Sequence, residues 1–73
     1  MFSKHEAAGA LWVLTDNTPD AGLESLVCEA YPKRPKPNYS KPRWDLTRRY
    51  ASEQEAIAGH SEIVASLAKG LLV

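Results

Sequence analysis

The chain is poor in the residues that carry chemistry. Cys28 is its single cysteine, which excludes an intramolecular disulfide and favours a reducing compartment. Lying mid-strand with no basic residue beside it in sequence, it is a weak nucleophile candidate. Together with His5 and His60 it lacks the spacing of a metal site. There is no glycine-rich phosphate cradle, no recognisable catalytic triad and no carboxylate pair at catalytic spacing. No apolar run approaches the roughly 20 residues that span a membrane. The segment Met1-Phe2-Ser3-Lys4-His5-Glu6 also lacks the apolar stretch of a secretory signal. At 73 residues the chain is read as one cytoplasmic domain, 1–73, near the lower size limit for folding without staples. A binding protein is expected rather than an enzyme, with no cofactor, metal or small-molecule substrate, and monomeric when free.

Net charge is missing as well, yet its absence is an average. Residues 1–30 carry one lysine against five acids, a net of −4. Residues 31–50 carry seven cations against Asp45 alone, a net of +6, and residues 51–73 come to −2. Seven of the nine Lys and Arg residues lie between Lys33 and Arg49. Such segregation can focus an attractive potential on an acidic partner.

The clearest element is C-terminal. Ser52-Glu53-Gln54-Glu55 fits a capping box, and Ile57, His60, Ile63, Val64, Leu67 and Leu71 fall within one apolar arc. Gly70 suits a left-handed cap, with Leu71 placed to fold back on the final turn. These features predict a helix over about 52–69, with His60 as a satisfied, semi-buried histidine. Ala10–Thr15 and Leu26–Tyr31 read as strands, joined by a longish loop rich in turn formers over Asp16–Gly22. Alternation over Trp44–Tyr50 predicts a third strand, with Trp44, Leu46 and Tyr50 on one face. The expected fold is α+β: a three-stranded antiparallel sheet with the helix packed on one face and residues 1–8 as a flexible segment.

Between the second and third strands runs Pro32-Lys33-Arg34-Pro35-Lys36-Pro37-Asn38-Tyr39-Ser40-Lys41-Pro42-Arg43. Its four prolines exclude helix and central strand, so residues 32–43 read as an extended basic loop. A solvated connector would have the same composition. The functional reading takes Lys33, Arg34, Lys36, Lys41 and Arg43 as electrostatic contacts and Tyr39 or Trp44 as aromatic anchors. Phe2, Lys4 and His5 form a second candidate contact. Pro32-Lys33-Arg34-Pro35 also matches the short PxxP pattern, which is common by chance. The first two strands are apolar on both faces, so one sheet face is left partly bare. Either the proline-rich loop or the N-terminal segment covers it, or it is a protein-binding patch anchored by Trp12 and Tyr31.

Two stretches resemble small phage-encoded proteins. Leu11-Trp12-Val13-Leu14-Thr15-Asp16 with Val27-Cys28-Glu29-Ala30-Tyr31 looks like their hairpin. Arg49-Tyr50-Ala51-Ser52-Glu53-Gln54-Glu55-Ala56-Ile57-Ala58-Gly59-His60 looks like their strand-to-helix element. With the start Met1–Glu6 and the basic proline insert, the chain resembles the small RNA-polymerase-binding transcription regulators of lytic Xanthomonas phages. That resemblance implies binding to the host polymerase at the N-terminal region of its β′ subunit, near the RNA exit channel, in the cytoplasm of the infected bacterium. It further implies inhibition of promoter initiation and antitermination at intrinsic terminators, with contact to nascent RNA an open point. It fixes no contact residue. Two other classes stay open: a free-standing nucleic-acid-binding module using the basic loop, and an accessory or scaffolding protein self-associating through the sheet.

Overall fold

In the computed structural model, which describes residues 2–19 and 22–70, an antiparallel sheet is covered on one face by a single C-terminal helix. The α+β class is as expected, but the sheet has five strands rather than three. They are β1 (Ser3–Ala8), β2 (Leu11–Thr18), β3 (Gly22–Ala30), β4 (Pro37–Pro42) and β5 (Arg48–Tyr50), followed by helix α1 (Glu53–Ala68). The spatial order is β1-β2-β3-β4, and β5 also pairs with β3.

β1 corrects the reading of residues 1–8 as a flexible segment. Lys, Glu and Ala are poor strand formers, so nothing local announces it. Six pairings with β2, from Ser3–Asp16 to Ala8–Leu11, make the strand. The hairpin turns on Gly9-Ala10, where Gly9 has φ +63° and Ala10 does not cross into positive φ. That is the Gly-X signature of a tight turn matched to strand twist. The β2–β3 connection is also shorter than expected, because Asp16, Asn17 and Gly22 belong to the paired strands.

Helix α1 begins as predicted. Ser52 is the N-cap and its hydroxyl accepts from the Glu55 amide at 3.2 Å. The Glu55 carboxylate accepts in turn from the Ala51 amide at 3.0 Å, one residue before the cap. Gly70, at φ +74°, ends the helix in the left-handed region as expected, while Leu71 lies outside the described residues. The buried face is rotated from the predicted arc: it consists of Ala56, Gly59, His60, Ile63 and Leu67, and Ile57 is 52% exposed. Small residues face the sheet because Tyr50 of β5 occupies the space above Gly59. A Cβ at Gly59 would overlap the Tyr50 ring.

Strand pairing sets which residues share a face. Glu6 and Ala8, Val13 and Thr15, Ser25 and Val27 point toward the helix, where Ala8, Val13, Val27, Ile63 and Leu67 form the core. Inside it runs a chain of polar groups. Tyr50 donates to Ser25 Oγ at 2.8 Å, Ser25 and Thr15 share a bond of 2.5 Å, and Thr15 Oγ1 meets His60 Nδ1 at 2.6 Å. His60 Nε2 lies 2.8 Å from Glu6 Oε1. With the imidazole proton on Nε2, every hydroxyl donates in one direction and every link is satisfied. Among the described residues no buried side-chain polar atom lacks a partner. The expectation of a satisfied His60 holds, although the ring is fully buried rather than semi-buried.

The face opposite the helix carries Trp12, Leu14, Leu26 and Cys28. Cys28 is fully buried there. Burial pushes the thiol upward. At this end the proline-rich segment runs beside Cys28 as β4, with Pro42 opposite it in the sheet. Trp12 and Leu26 stay half-buried. The described helix is too short and too polar to cross a membrane.

Two outcomes test this packing. Alanine at position 59 would favour helix by about 1 kcal/mol on propensity alone. Overlap with Tyr50, whose hydroxyl is held by Ser25, should reverse that sign. We expect Gly59→Ala to lose about 1–3 kcal/mol in urea unfolding; an unchanged or raised midpoint would mean the helix does not sit on Tyr50. The His60 bond holds the Glu6 carboxyl below its ordinary value. Its stabilising contribution is complete above pH 4.5, the unperturbed value, and is lost as pH falls through the lower folded value. The stability gap between wild type and Glu6→Gln should therefore narrow as pH falls below 4.5.

Candidate functional site

Between Pro37 and Tyr50 the chain follows one edge of β3 twice over. β4 pairs with the far end of β3, matching Pro37 to Ala30 and Pro42 to Cys28. β5 pairs with the near end, matching Arg48 to Ser25 and Tyr50 to Leu23. The outer chain takes five steps where β3 takes two, then six where β3 takes three. Each mismatch leaves about three residues that cannot lie flat, and they are extruded from the edge.

The first extrusion carries Tyr39, Ser40 and Lys41, with Tyr39 61% exposed. It is braced by buried Asn38, whose Oδ1 accepts from the Ser40 amide at 3.1 Å and the Ser40 hydroxyl at 2.6 Å. The second is a 3₁₀ turn over Trp44–Leu46. This corrects the predicted third strand over Trp44–Tyr50: only Arg48–Tyr50 is strand. Trp44 stands 72% exposed rather than sharing a sheet face with Leu46 and Tyr50. Alternating polarity there reflects a turn whose apolar residues project differently, and Leu46 alone packs against the core.

Charge follows the same edge. Arg43 makes a two-pronged bond to Asp45, Nε to Oδ1 at 3.1 Å and Nη2 to Oδ2 at 3.0 Å. That pairing raises the arginine's value further and depresses the aspartate's. Arg48 pairs with Glu62 of the helix at 3.2 Å. Among the described residues, Lys33, Arg34, Lys36, Lys41 and Arg49 form no ion pair. Of the five cations read as contacts, four are thus available and Arg43 is already engaged.

Residues 31–36 connect β3 to β4 as a built loop rather than a slack one. The Tyr31 amide donates to the Lys36 carbonyl at 3.2 Å, Arg34 to Tyr31 at 3.4 Å, and Lys36 to Arg34 at 2.8 Å. The Arg34–Tyr31 bond closes a β-turn with Pro32 at its favoured second position. The basic stretch read as one extended loop over 32–43 is therefore a short turn, an edge strand and an extrusion. Prolines sit at both ends of that strand, where an edge tolerates them.

Phe2, Lys4 and His5 lie elsewhere. They belong to the opposite margin of the sheet, three strand spacings or about 14 Å from β4. Lys4 sits 3.8 Å from Glu6, and His5 Nε2 bonds to Asp16 at 2.9 Å beside Ser3. The Phe2 carbonyl accepts from Asn17 at 3.3 Å. The structure does not bring the two candidate contacts together. A cavity of about 450 Å³ lies between the β1–β2 turn and the end of the helix, lined by Ala8, Leu11, Glu29, Arg43 and Leu67; the free cations are not part of it.

Sequence reasoning missed Arg49 as a free cation and placed Tyr31 on a sheet face. Tyr31 follows the last residue of β3 and is 42% exposed. The Tyr-Pro dipeptide was the available signal, since a residue before proline tends to start a turn. Compared with known proteins, the chain matches no family model, no curated protein and no solved structure.

Exposure of the two tryptophans can be checked directly. With Trp12 replaced by phenylalanine, the remaining Trp44 emission should be quenched by iodide almost as efficiently as free tryptophan. With Trp44→Phe, the half-buried Trp12 should be quenched several-fold less. Equal quenching would contradict the extruded 3₁₀ turn.

Proposed function

We propose that this chain is a non-enzymatic phage protein that docks on bacterial RNA polymerase in the cytoplasm of the infected cell. The contact is with the N-terminal region of the β′ subunit near the RNA exit channel. Docking hinders promoter initiation and suppresses hairpin-driven release of the transcript. The reading draws on the resemblance of the hairpin, the strand-to-helix element and the basic insert to small phage transcription regulators. What supports it in the structure is one observation: unpaired cations and extruded aromatics share a single sheet edge on a compact body.

Such an edge has the two parts an interface uses. Lys36, Lys41 and Arg49 raise the encounter rate with an acidic surface. Tyr39 and Trp44 are rigid, mostly exposed side chains of the kind that become buried anchors. A ligand shifts a conformational equilibrium only through its differential affinity for the two states. The effect on both initiation and termination therefore follows from tighter binding to the elongating form of the polymerase than to the promoter-bound form.

The test is affinity capture of polymerase from host lysate, followed by association kinetics with the purified enzyme. Lys36→Glu with Lys41→Glu should slow association at least tenfold at low salt, within the range that steering supplies. Tyr39→Ala with Trp44→Ala should mainly speed dissociation. Recovery of no polymerase subunit by the wild-type protein would end this reading.

A further inference from the structure

We propose that the turn Tyr31-Pro32-Lys33-Arg34 is a binding site for one unit of single-stranded nucleic acid, with a base on the Tyr31 ring and its phosphates on Lys33 and Arg34. The four residues line an open cavity of about 420 Å³. That volume is within the range of small-ligand sites. The inference goes beyond polymerase docking and stands without it, because neither Tyr39 nor Trp44 lines this cavity.

The chemistry of the lining selects the ligand. Tyr31 and Pro32 give the lining an aromatic ring and an apolar neighbour, and Lys33 and Arg34 give two cations that no acid in the described structure neutralises. A nucleotide presents a planar π-face and an anionic phosphate on adjacent groups, so it satisfies both halves of the site at once. An acidic peptide satisfies the cations and leaves the tyrosine face unused. Duplexes hide their base faces in the stack, whereas a single strand can lay one out on an aromatic ring. The site is also preorganised. Proline fixes the turn, and the three backbone bonds among Tyr31, Arg34 and Lys36 hold it, so little ordering is required on binding. Lys36, in the same loop, extends the positive track toward a neighbouring phosphate.

The experiment is fluorescence anisotropy of labelled oligouridine and oligothymidine with the full chain, titrated between roughly 50 and 200 mM salt. Three phosphate contacts give an expected slope of log affinity against log salt near −2, at about −0.7 per contact for a single strand. Tyr31→Ala should weaken binding by roughly 5- to 150-fold, the fold-change that corresponds to one lost stack, and Tyr31→Phe should retain it. Lys33→Ser with Arg34→Ser should flatten the slope by about 1.4. A preference between the two oligomers would tell an RNA from a DNA ligand, and either supports the site. No binding at the lowest salt overturns it. So does unchanged affinity of Tyr31→Ala, or equal affinity for a duplex or for polyglutamate, since charge alone would then explain the signal. Polymerase capture by Tyr31→Ala, run in parallel, separates the two proposals: intact capture without oligomer binding removes only this one.

Discussion

A line of hydrogen bonds through the core, Tyr50–Ser25–Thr15–His60–Glu6, holds the rest of the molecule in place. Its members come from β5, β3, β2, α1 and β1 in turn. Three of its four links span 25 positions or more, up to the 54 between Glu6 and His60. A domain of this size has few apolar side chains with which to fix the helix angle. A buried polar chain is expensive if any member goes unpartnered. Alternative helix placements are disfavoured for that reason, and strand β5 is fixed at the position from which the outer edge departs.

That edge owes its display to a mismatch of lengths. The edge of β3 from Leu23 to Ala30 is shorter than the segment from Pro37 to Tyr50 that is paired along it. The surplus must leave the plane, and the residues that leave are Tyr39 with Lys41 and Trp44 with Asp45. Pro37 and Pro42, which lack amide donors, are the positions matched to β3, so the residues between the matched positions are held only at their ends. The surplus thus becomes two protruding aromatics anchored at both ends by sheet. Arg43 and Asp45 neutralise each other within the second protrusion, so positive charge concentrates toward the first and toward the turn at Lys33.

Much of the scaffold was legible because it is encoded locally. The Ser52 cap, the Gly70 terminus and the strand-forming runs Ala10–Thr15 and Leu26–Tyr31 each declare an element within a few residues. Strand β1 was not legible: Ser3–Ala8 has weak strand propensity and exists through pairing with β2. The helix face was read one notch off, because periodicity weighs Ile57 and Val64 above Ala56 and Gly59. Close packing on the Tyr50 ring ranks them the other way. Trp44 was misplaced for a related reason, since alternation cannot distinguish a strand from a turn whose partner strand is too short to receive it.

Amino-acid order alone determined the α+β class, the helix and its caps, and the concentration of cations between Lys33 and Arg49. These rest on backbone preference and covalent proximity, which act over a few residues. Tertiary structure decided which of those cations are free, which aromatics protrude, and that Phe2, Lys4 and His5 belong to the opposite margin. Ion pairing, strand register and burial depend on which distant segments meet, and a one-dimensional pattern does not carry that information.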